Sequence, residues 1–151
     1  RNMMEIYDKL YKPDNSKEKN IREYLEPLVN EVIRFFTLDE IIKTEFDIED
    51  FILNSKILSS VGIIINEIIT NMMKYAFTGR ERGVIKVSAT LIENHVTINI
   101  NDNGIGIPES ISLQNSTGFG MQLVVMLTEQ IGGTIRIERG EGTGFVLEFD
   151  V

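Results

Sequence analysis

The longest apolar stretch of the chain covers residues 57–73, and it restricts the possible folds more than any other feature. Asn66, Glu67 and Asn71 interrupt it, so it is unsuited to cross a membrane. It is nevertheless too apolar for a helix that lies on a protein surface. We therefore predict a helix over residues 55–76 in the core of a single domain, which a length of 151 residues allows.

Strands dominate the second half of the chain. Apolar side chains occupy every second position over residues 84–91 and 96–102, which is the period of a strand with one buried face. A hairpin turn is predicted at Asn94-His95. The other predicted elements are a helix over 21–36, a strand over 41–48, a helix over 120–131 that stops at Gly132-Gly133, and a hairpin of strands 134–138 and 144–150. This order predicts an α+β two-layer sandwich, in which helices cover one face of a mixed β-sheet.

The first twenty residues differ from the rest of the chain. Apolar side chains recur at helical spacing between Met3 and Tyr11. The polar residues 12–20, which include Pro13, have the composition of a linker. We expect residues 1–20 to be the end of a longer helix with its linker, and residues 21–151 to be the folded domain.

Charge and composition exclude several classes of partner. The net charge is −8, Lys and Arg form no basic run, and the chain has no Cys. Phosphates of nucleic acids and anionic lipids need clustered cations, so neither a nucleic acid nor a membrane surface is an expected partner. A disulfide framework and a Cys-ligated zinc site are excluded. We expect a cytoplasmic domain, and a divalent cation if it binds phosphate groups.

Polar side chains form a stripe on the core helix. Glu67, Asn71, Lys74 and Tyr75 lie at i, i+4, i+7 and i+8 and therefore share one face. Burial of a carboxylate, a carboxamide and an ammonium group on such a helix is costly unless they have partners. The stripe is either a solvated face with one exposed salt bridge or the polar wall of a binding site.

A carboxylate ends the second of the alternating strands. Asp102 shares its parity with Ile98 and Ile100, so its side chain should point into the apolar layer, where it needs a hydrogen-bond donor. An exocyclic amine of a purine could be this donor. Gly104 and Gly106 would let the backbone approach a ligand closely. The alternative is a simple turn after a strand, which accounts for Gly104 but not for the inward parity of Asp102.

A glycine segment, with Thr117, Gly118, Gly120 and Met121, precedes the last predicted helix. Glycines at a helix N-terminus expose N–H groups, and the helix dipole favours an anion there, although a flexible loop is the commoner meaning. The dinucleotide-binding fingerprint and the Walker P-loop do not fit, because the third glycine of the first and the Gly-Lys-Ser/Thr of the second are absent. Thr143 opens the last strand and is a residue type typical of strands.

Together and in this order, the four segments resemble the GHKL superfamily, whose members include DNA gyrase B, MutL, heat-shock chaperones and sensor histidine kinases. Residues 66–77 are similar to its N box, 102–106 to its Asp-x-Gly-x-Gly box, 118–123 to its second glycine box and 142–145 to its final Gly-Thr element. The first and third segments are most similar to histidine kinases of the HWE-like branch or its relatives. The resemblance implies a Bergerat-type ATP-binding fold.

The resemblance implies Mg²⁺ and ATP as cofactors and assigns roles on the core helix. Asn71 would bind Mg²⁺ through its side-chain oxygen. Glu67 occupies the position of the family's catalytic polar residue, which activates or orients the nucleophile. Lys74 would contact phosphate, and Tyr75 would pack on the nucleotide.

It also implies roles for the glycine segments. Asp102 would accept a hydrogen bond from the adenine amino group with support from Thr143, and the turn of Gly118 and Gly120 would hold the triphosphate. Residues 108–117 would form an ATP lid, which is short here. The other residues expected at the nucleotide are Gly104, Gly106, Ile107, Thr117 and Met121.

The reaction implied by the resemblance is transfer of the γ-phosphoryl group of ATP to a histidine on a dimerisation helix outside this chain. His95 is the single histidine. It lies in a predicted turn far from the four segments and is not the expected acceptor, so we expect no self-phosphorylation. The expected partners are the histidine-bearing dimerisation domain of the same protein, in a homodimeric parent, and a response regulator.

Two alternative functions use the same four segments. The first is an anti-sigma-factor-type serine kinase. The helix that ends in Leu10-Tyr11 before the domain disfavours this function. The second is a non-catalytic regulatory module that binds a nucleotide, which the presence of both Glu67 and Asn71 disfavours. An ATP-hydrolysing machine similar to gyrase B is not expected, because no transducer domain follows the final strand.

Overall fold

The structure of the protein is a computed structural model, and it describes residues 18–36, 42–79, 82–110, 112–113 and 119–151. The helices in these ranges are α1 (Ile21–Phe36), α2 (Ser55–Asn71), which continues as a π-helical turn (Met72–Ala76), and α3 (Phe119–Gln130). The strands are β1 (Glu18–Asn20), β2 (Ile42–Ile48), β3 (Ile52–Asn54), β4 (Gly83–Ile92), β5 (His95–Asp102), β6 (Thr134–Arg139) and β7 (Thr143–Asp150).

Five of the strands form one sheet in the order β2-β4-β5-β7-β6. β2 is parallel to β4, and the other neighbours are antiparallel, so the sheet is mixed. The short strands β1 and β3 pair with each other antiparallel and form a separate two-stranded sheet. The mixed sheet predicted from the sequence is confirmed.

The hydrophobic core lies between the helices and one face of the five-stranded sheet. On β5, Val96, Ile98 and Ile100 are fully buried, while Thr97 and Asn99 between them lie on the other face. Because successive side chains of a strand point to opposite faces, this alternation separates an apolar covered face from a polar open one. The predicted two-layer α+β architecture is therefore confirmed.

The core helix α2 packs between α1 and α3. Together with its π-helical turn it is long and apolar enough to cross a membrane by length and composition alone. However, 61% of its most apolar window is buried inside the domain. The burial agrees with the sequence-based prediction of a helix that serves as the centre of a protein core.

Two helix ends in the structure are capped, and the cap after α3 is the one that the sequence predicts. Asn54 precedes α2, and its side-chain oxygen accepts the N–H of Lys56 at 2.8 Å, which satisfies one of the unpaired donors of the first turn. At the end of α3, Gly132 has φ +71° and its N–H bonds to the carbonyl of Glu129 at 3.0 Å. The N–H of Gly133 reaches the carbonyl of Thr128 at 2.9 Å, which completes a Schellman motif and confirms the predicted helix stop.

The structure differs from the sequence-based assignment in three places. The two-residue turn is Glu93-Asn94, both with positive φ, and His95 is the first residue of β5 instead of a turn residue. The last five residues of the predicted core helix form a π-helical turn. β1 forms where the sequence predicts a linker, because a strand of three residues, like β1 or β3, is too short to show alternation. The predicted helix over 1–11 and the linker up to residue 17 lie outside the described residues.

Candidate functional site

Asp102 ends β5 on the covered face of the sheet and is 8% exposed, as its parity predicts. Its Oδ1 accepts the N–H of Gly104 at 2.9 Å and lies 3.4 Å from the backbone nitrogen of Thr143. Backbone N–H groups stabilise a buried carboxylate because they compensate for the lost water. The carboxylate is therefore held in a fixed orientation at the point where β5 leaves the sheet.

The loop after β5 is tied to the end of the core helix. The N–H of Ile105 donates to the carbonyl of Ala76 at 2.7 Å. A Cβ atom on Gly104 would collide with the same carbonyl, so only glycine permits this approach. Two segments that are far apart in the sequence, the N-box-like helix and the Asp102 loop, therefore meet at one end of the domain.

Thr143 completes this cluster from the neighbouring strand. The register of β5 and β7 places Asn101 opposite Gly144, so Thr143 lies beside Asp102. Thr143 is 2% exposed, and its Oγ1 accepts the N–H of Ile107 at 2.7 Å. Gly106 has φ +91° and lies against the same hydroxyl group. Asp102, Gly104, Gly106, Ile107 and Thr143, all predicted from the sequence, are thus brought together.

The polar stripe on α2 and its π-helical turn reaches the surface, although most of their other residues after the first turn are buried. Glu67, Asn71 and Tyr75 are partly exposed, and Lys74 is exposed. The helix changes to π-helical geometry directly after Asn71, so the spacing of the last two residues is no longer that of an ideal α-helix. Single π-helical turns inside α-helices occur frequently at functional sites.

The carboxylate of Glu67 lies at the first turn of α3. A Cβ atom on Gly120 would lie only 2.5 Å from Oε2 of Glu67, so a larger residue at this position would displace the carboxylate of Glu67. The positive end of the helix dipole favours an anion at this position. Met121 is 2% exposed and belongs to the hydrophobic core. Thr117 and Gly118 lie outside the described residues.

A buried polar pair lies directly behind this stripe. Asn66 is fully buried, and within the described structure neither atom of its carboxamide has a hydrogen-bond partner. The hydroxyl of Thr70, one turn later, is also buried without a partner. Buried unsatisfied groups cost about 1–3 kcal/mol each, so they are rare outside sites of function. Asn66 and Thr70 directly precede Glu67 and Asn71 in the sequence.

The residues present are compatible with a magnesium ion. Among the residues that the structure describes, no group of three or more His, Cys, Asp or Glu side chains could hold a metal ion. Mg²⁺ usually keeps several waters and takes phosphate oxygens, so it needs only one or two protein oxygens. The partly exposed carboxamide of Asn71 at the end of α2 could supply one such oxygen.

Sequence reasoning missed Arg139, the last residue of β6. Its guanidinium donates from Nη1 to the carbonyl of Ile107. Arg139 shares the parity of Ile135 and Ile137, which pack against the core. Arg139 itself is exposed, but a charged residue with the parity of the covered face at the end of a strand is the same signal that identified Asp102.

The comparison with protein-family models gives one decisive match. The model of the histidine kinase-, DNA gyrase B- and HSP90-like ATPases matches residues 58–151, which is more than half of the chain and includes every segment of the candidate site. The chain belongs to this ATPase family. Its domain is a kinase-type ATP-binding module, and the GHKL resemblance stated from the sequence is confirmed.

Curated relatives come from two groups of signalling proteins. Blue-light-activated histidine kinase 2 of Erythrobacter litoralis is 28% identical over 92 residues, which are 60% of this chain and 26% of the relative. An anti-sigma F factor of Clostridium botulinum is 32% identical over 94 residues, which are 57% of this chain and 66% of the relative. The matched region is therefore about a quarter of the first relative's length.

Solved structures with the same fold include histidine kinase domains. The histidine kinase domain of a blue-light-activated kinase from Erythrobacter litoralis superposes with a TM-score of 0.80 at 20% identity, covering 91% of this chain and 65% of that one. The ATP-binding domain of PrrB from Mycobacterium tuberculosis gives 0.68 at 22% identity, covering 91% and 98%. At sequence identities of 20% and 22%, the structural similarity shows a shared fold and nothing more.

Proposed function

We propose that this member of the ATPase family is the catalytic domain of a two-component sensor histidine kinase. It binds Mg²⁺-ATP and transfers the γ-phosphoryl group to a histidine on a dimerisation helix outside this chain. The main support is that the Asp102 loop is bonded to Ala76 at the end of the helix that carries Glu67 and Asn71. One site can therefore hold a base at one end and phosphates at the other.

At the base end, Asp102 and Thr143 recognise the purine. The carboxylate of Asp102 accepts a hydrogen bond from an exocyclic amine, which only adenine presents among the common purine nucleotides at this position. Because Thr143 Oγ1 already accepts the N–H of Ile107, its hydroxyl hydrogen can be donated to a ring nitrogen. The site should therefore be selective for adenine, because a base without this amine would leave the buried carboxylate of Asp102 without that hydrogen-bond donor.

At the phosphate end, α2 and α3 supply polar groups from two sides. Lys74 neutralises phosphate charge, and the first turn of α3 at Gly120 directs N–H groups toward the anion. Asn71 would hold Mg²⁺ through its side-chain oxygen. The bound ion would lower the charge repulsion between the phosphates and the nucleophile. Thr117 and Gly118 are proposed to contact the triphosphate as well.

In the transfer, a nitrogen of the acceptor imidazole attacks the γ-phosphorus. The bond from phosphorus to the oxygen that bridges the β- and γ-phosphates breaks, and ADP leaves with the electron pair. The other imidazole nitrogen loses its proton to the carboxylate of Glu67, which lies at the start of α3. Most of the rate acceleration comes from positioning and charge neutralisation.

A serine kinase of the anti-sigma-factor type is the second candidate. The 32% identity to an anti-sigma F factor, of which the match covers 66%, supports it. The two candidates differ in the acceptor. Labelled ATP should be presented with a histidine-bearing dimerisation domain and, separately, with a serine-bearing anti-sigma antagonist. Acid-labile label on the first supports the histidine kinase, and acid-stable label on the second supports the alternative.

Calorimetric titration with ATP in the presence and absence of Mg²⁺ tests the site. We expect Asn71→Ala to lose the metal dependence of binding, and Asp102→Ala to lose the preference for adenine. Removal of one charged hydrogen bond should weaken ATP binding about 10-fold to 100-fold. Wild-type affinity in both variants would contradict the proposed site.

The whole protein is proposed to be a homodimer that signals to a response regulator from the cytoplasm. The domain alone should not phosphorylate itself, because His95 lies on the open face of the sheet, paired with Asp150, whereas Glu67 lies on a helix that packs against the other face. Label retained on the isolated domain after incubation with ATP would contradict this expectation.

A further inference from the structure

Arg139 and Thr143 form a cross-strand pair where the β6–β7 hairpin opens toward the Asp102 loop. Residues directly opposite each other in an antiparallel pair point to the same face of the sheet. For this pair it is the covered face, since Phe145 and Ile137, two residues further along each strand, pack into the core. A cation and a hydroxyl group therefore lie side by side at this end of the domain.

Both side chains hold the same residue of the loop after β5. Thr143 Oγ1 accepts the N–H of Ile107 at 2.7 Å, and Arg139 donates from Nη1 to the carbonyl of Ile107. The next residue is Pro108, which has no N–H. The peptide between Ile107 and Pro108 can therefore be held by hydrogen bonds only through the Ile107 carbonyl, which is the atom that Arg139 takes.

The restraint on Ile107 extends to the base end of the proposed site. Its side chain is 4% exposed, so the residue is fixed by packing as well as by its two hydrogen bonds. Gly106, with φ +91°, lies against the Thr143 hydroxyl. On the other side, Ile105 is bonded to Ala76. The segment 104–107 is thus held between the core helix and the β6–β7 hairpin.

We propose that Arg139 is a positioning residue for nucleotide binding. It fixes the Ile107 carbonyl and thereby keeps Ile107 bonded to Thr143, so that the Thr143 hydroxyl and the Asp102 carboxylate present a fixed geometry to the base. Arg139 touches the loop backbone and does not need to touch the nucleotide. This role rests on the proposed function of the site.

The experiment compares Arg139→Ala with Arg136→Ala. Arg136 lies on the same strand with the opposite parity and pairs with Glu148 at 2.7 Å, so its replacement removes an equal charge from the open face. Amide hydrogen exchange of the nucleotide-free protein is followed by NMR. Loss of one hydrogen bond should make the Ile107 amide exchange about 10-fold faster in Arg139→Ala and leave its rate unchanged in Arg136→Ala. Global unfolding is monitored in both variants as a control.

Two ligands, each with Mg²⁺, then separate the base end from the phosphate end. Arg139→Ala should weaken ATP binding about 10-fold and leave the affinity for inorganic tripolyphosphate within about twofold of wild type. Equal losses for both ligands would show that Arg139 acts as a charge for phosphate and would overturn the proposal. So would an unchanged Ile107 exchange rate, an unchanged ATP affinity, or an equal effect of Arg136→Ala.

The outcomes also distinguish this proposal from the one on which it rests. A wild-type protein that does not bind ATP overturns the proposed function and with it the role of Arg139. A wild-type protein that binds ATP, together with an Arg139→Ala variant that binds it equally well, overturns the role of Arg139 alone.

Discussion

Single ionisable residues have contrasting environments on the two faces of the sheet. On the covered face, Asp102 is buried and held by the N–H of Gly104. On the open face, His95 lies between two carboxylates, with Nδ1 2.7 Å from Asp150 and Nε2 3.1 Å from Glu148. The first environment suits recognition of a hydrogen-bond donor, and the second makes part of the domain's stability depend on pH.

His95 should titrate above its ordinary range. Hydrogen bonds to Asp150 and then to Glu148 raise the pKa of His95 from 6.5. Since the folded-state pKa is above the unfolded one, the stabilisation is fully present below the unfolded pKa and is lost as the pH rises through the folded pKa. The free energy of unfolding of wild type relative to His95→Gln should therefore fall as the pH rises above 6.5.

NMR checks this directly, because the chain has one histidine and hence one titrating imidazole. Asp150→Asn removes the largest cause of the shift and should bring the pKa of His95 down toward its ordinary value. A wild-type pKa at or below 6.5, or one that Asp150→Asn does not change, would contradict the network.

At the scale of the elements, helix ends could be predicted more accurately than strand pairing. The two glycines after α3 and the asparagine before α2 act through local backbone geometry, so their effect can be deduced from neighbouring residues. The pairing of β1 with β3 joins Glu18 to Asn54 across more than thirty residues. No local pattern contains that information.

Gly132→Ala should destabilise the domain by about 1 kcal/mol, because Gly132 has φ +71° and a Cβ atom is unfavourable in that conformation. A Cβ atom there would meet nothing within 4 Å, so the cost is conformational and not steric. Urea unfolding of wild type and variant measures this loss of stability.

The matched control is Gly140→Ala, since Gly140 also has open space around it but no positive φ. This control should change the free energy of unfolding by less than about 0.5 kcal/mol. Equal effects of the two substitutions would contradict the Schellman assignment.

At the scale of the whole molecule, the site depends on the contact between the Asp102 loop and the end of the core helix. Gly104→Ala should destabilise the domain by about 1–3 kcal/mol and weaken ATP binding, because the added methyl group would collide with the Ala76 carbonyl. Thermal unfolding and calorimetry measure the two effects.

Ile105→Ala is the control in the same loop. The Ile105 side chain is 58% exposed, and its backbone N–H bond to Ala76 remains in the variant. This variant should keep both wild-type stability and ATP affinity. If Gly104→Ala behaved in the same way, the loop would not need its close approach to the helix.

The sequence by itself determined the helices and the strands of the five-stranded sheet, its two faces and the parity of Asp102, because alternation and helical spacing are local consequences of backbone geometry. The register of the strands and the packing of the helices decided which residues meet at the candidate site. Only the folded domain places Thr143 beside Asp102, Gly120 against Glu67 and Arg139 on Ile107, and only the folded domain shows the π-helical geometry at the end of the core helix. The three contacts join residues 32 to 53 positions apart along the chain, so no window of neighbouring residues contains them.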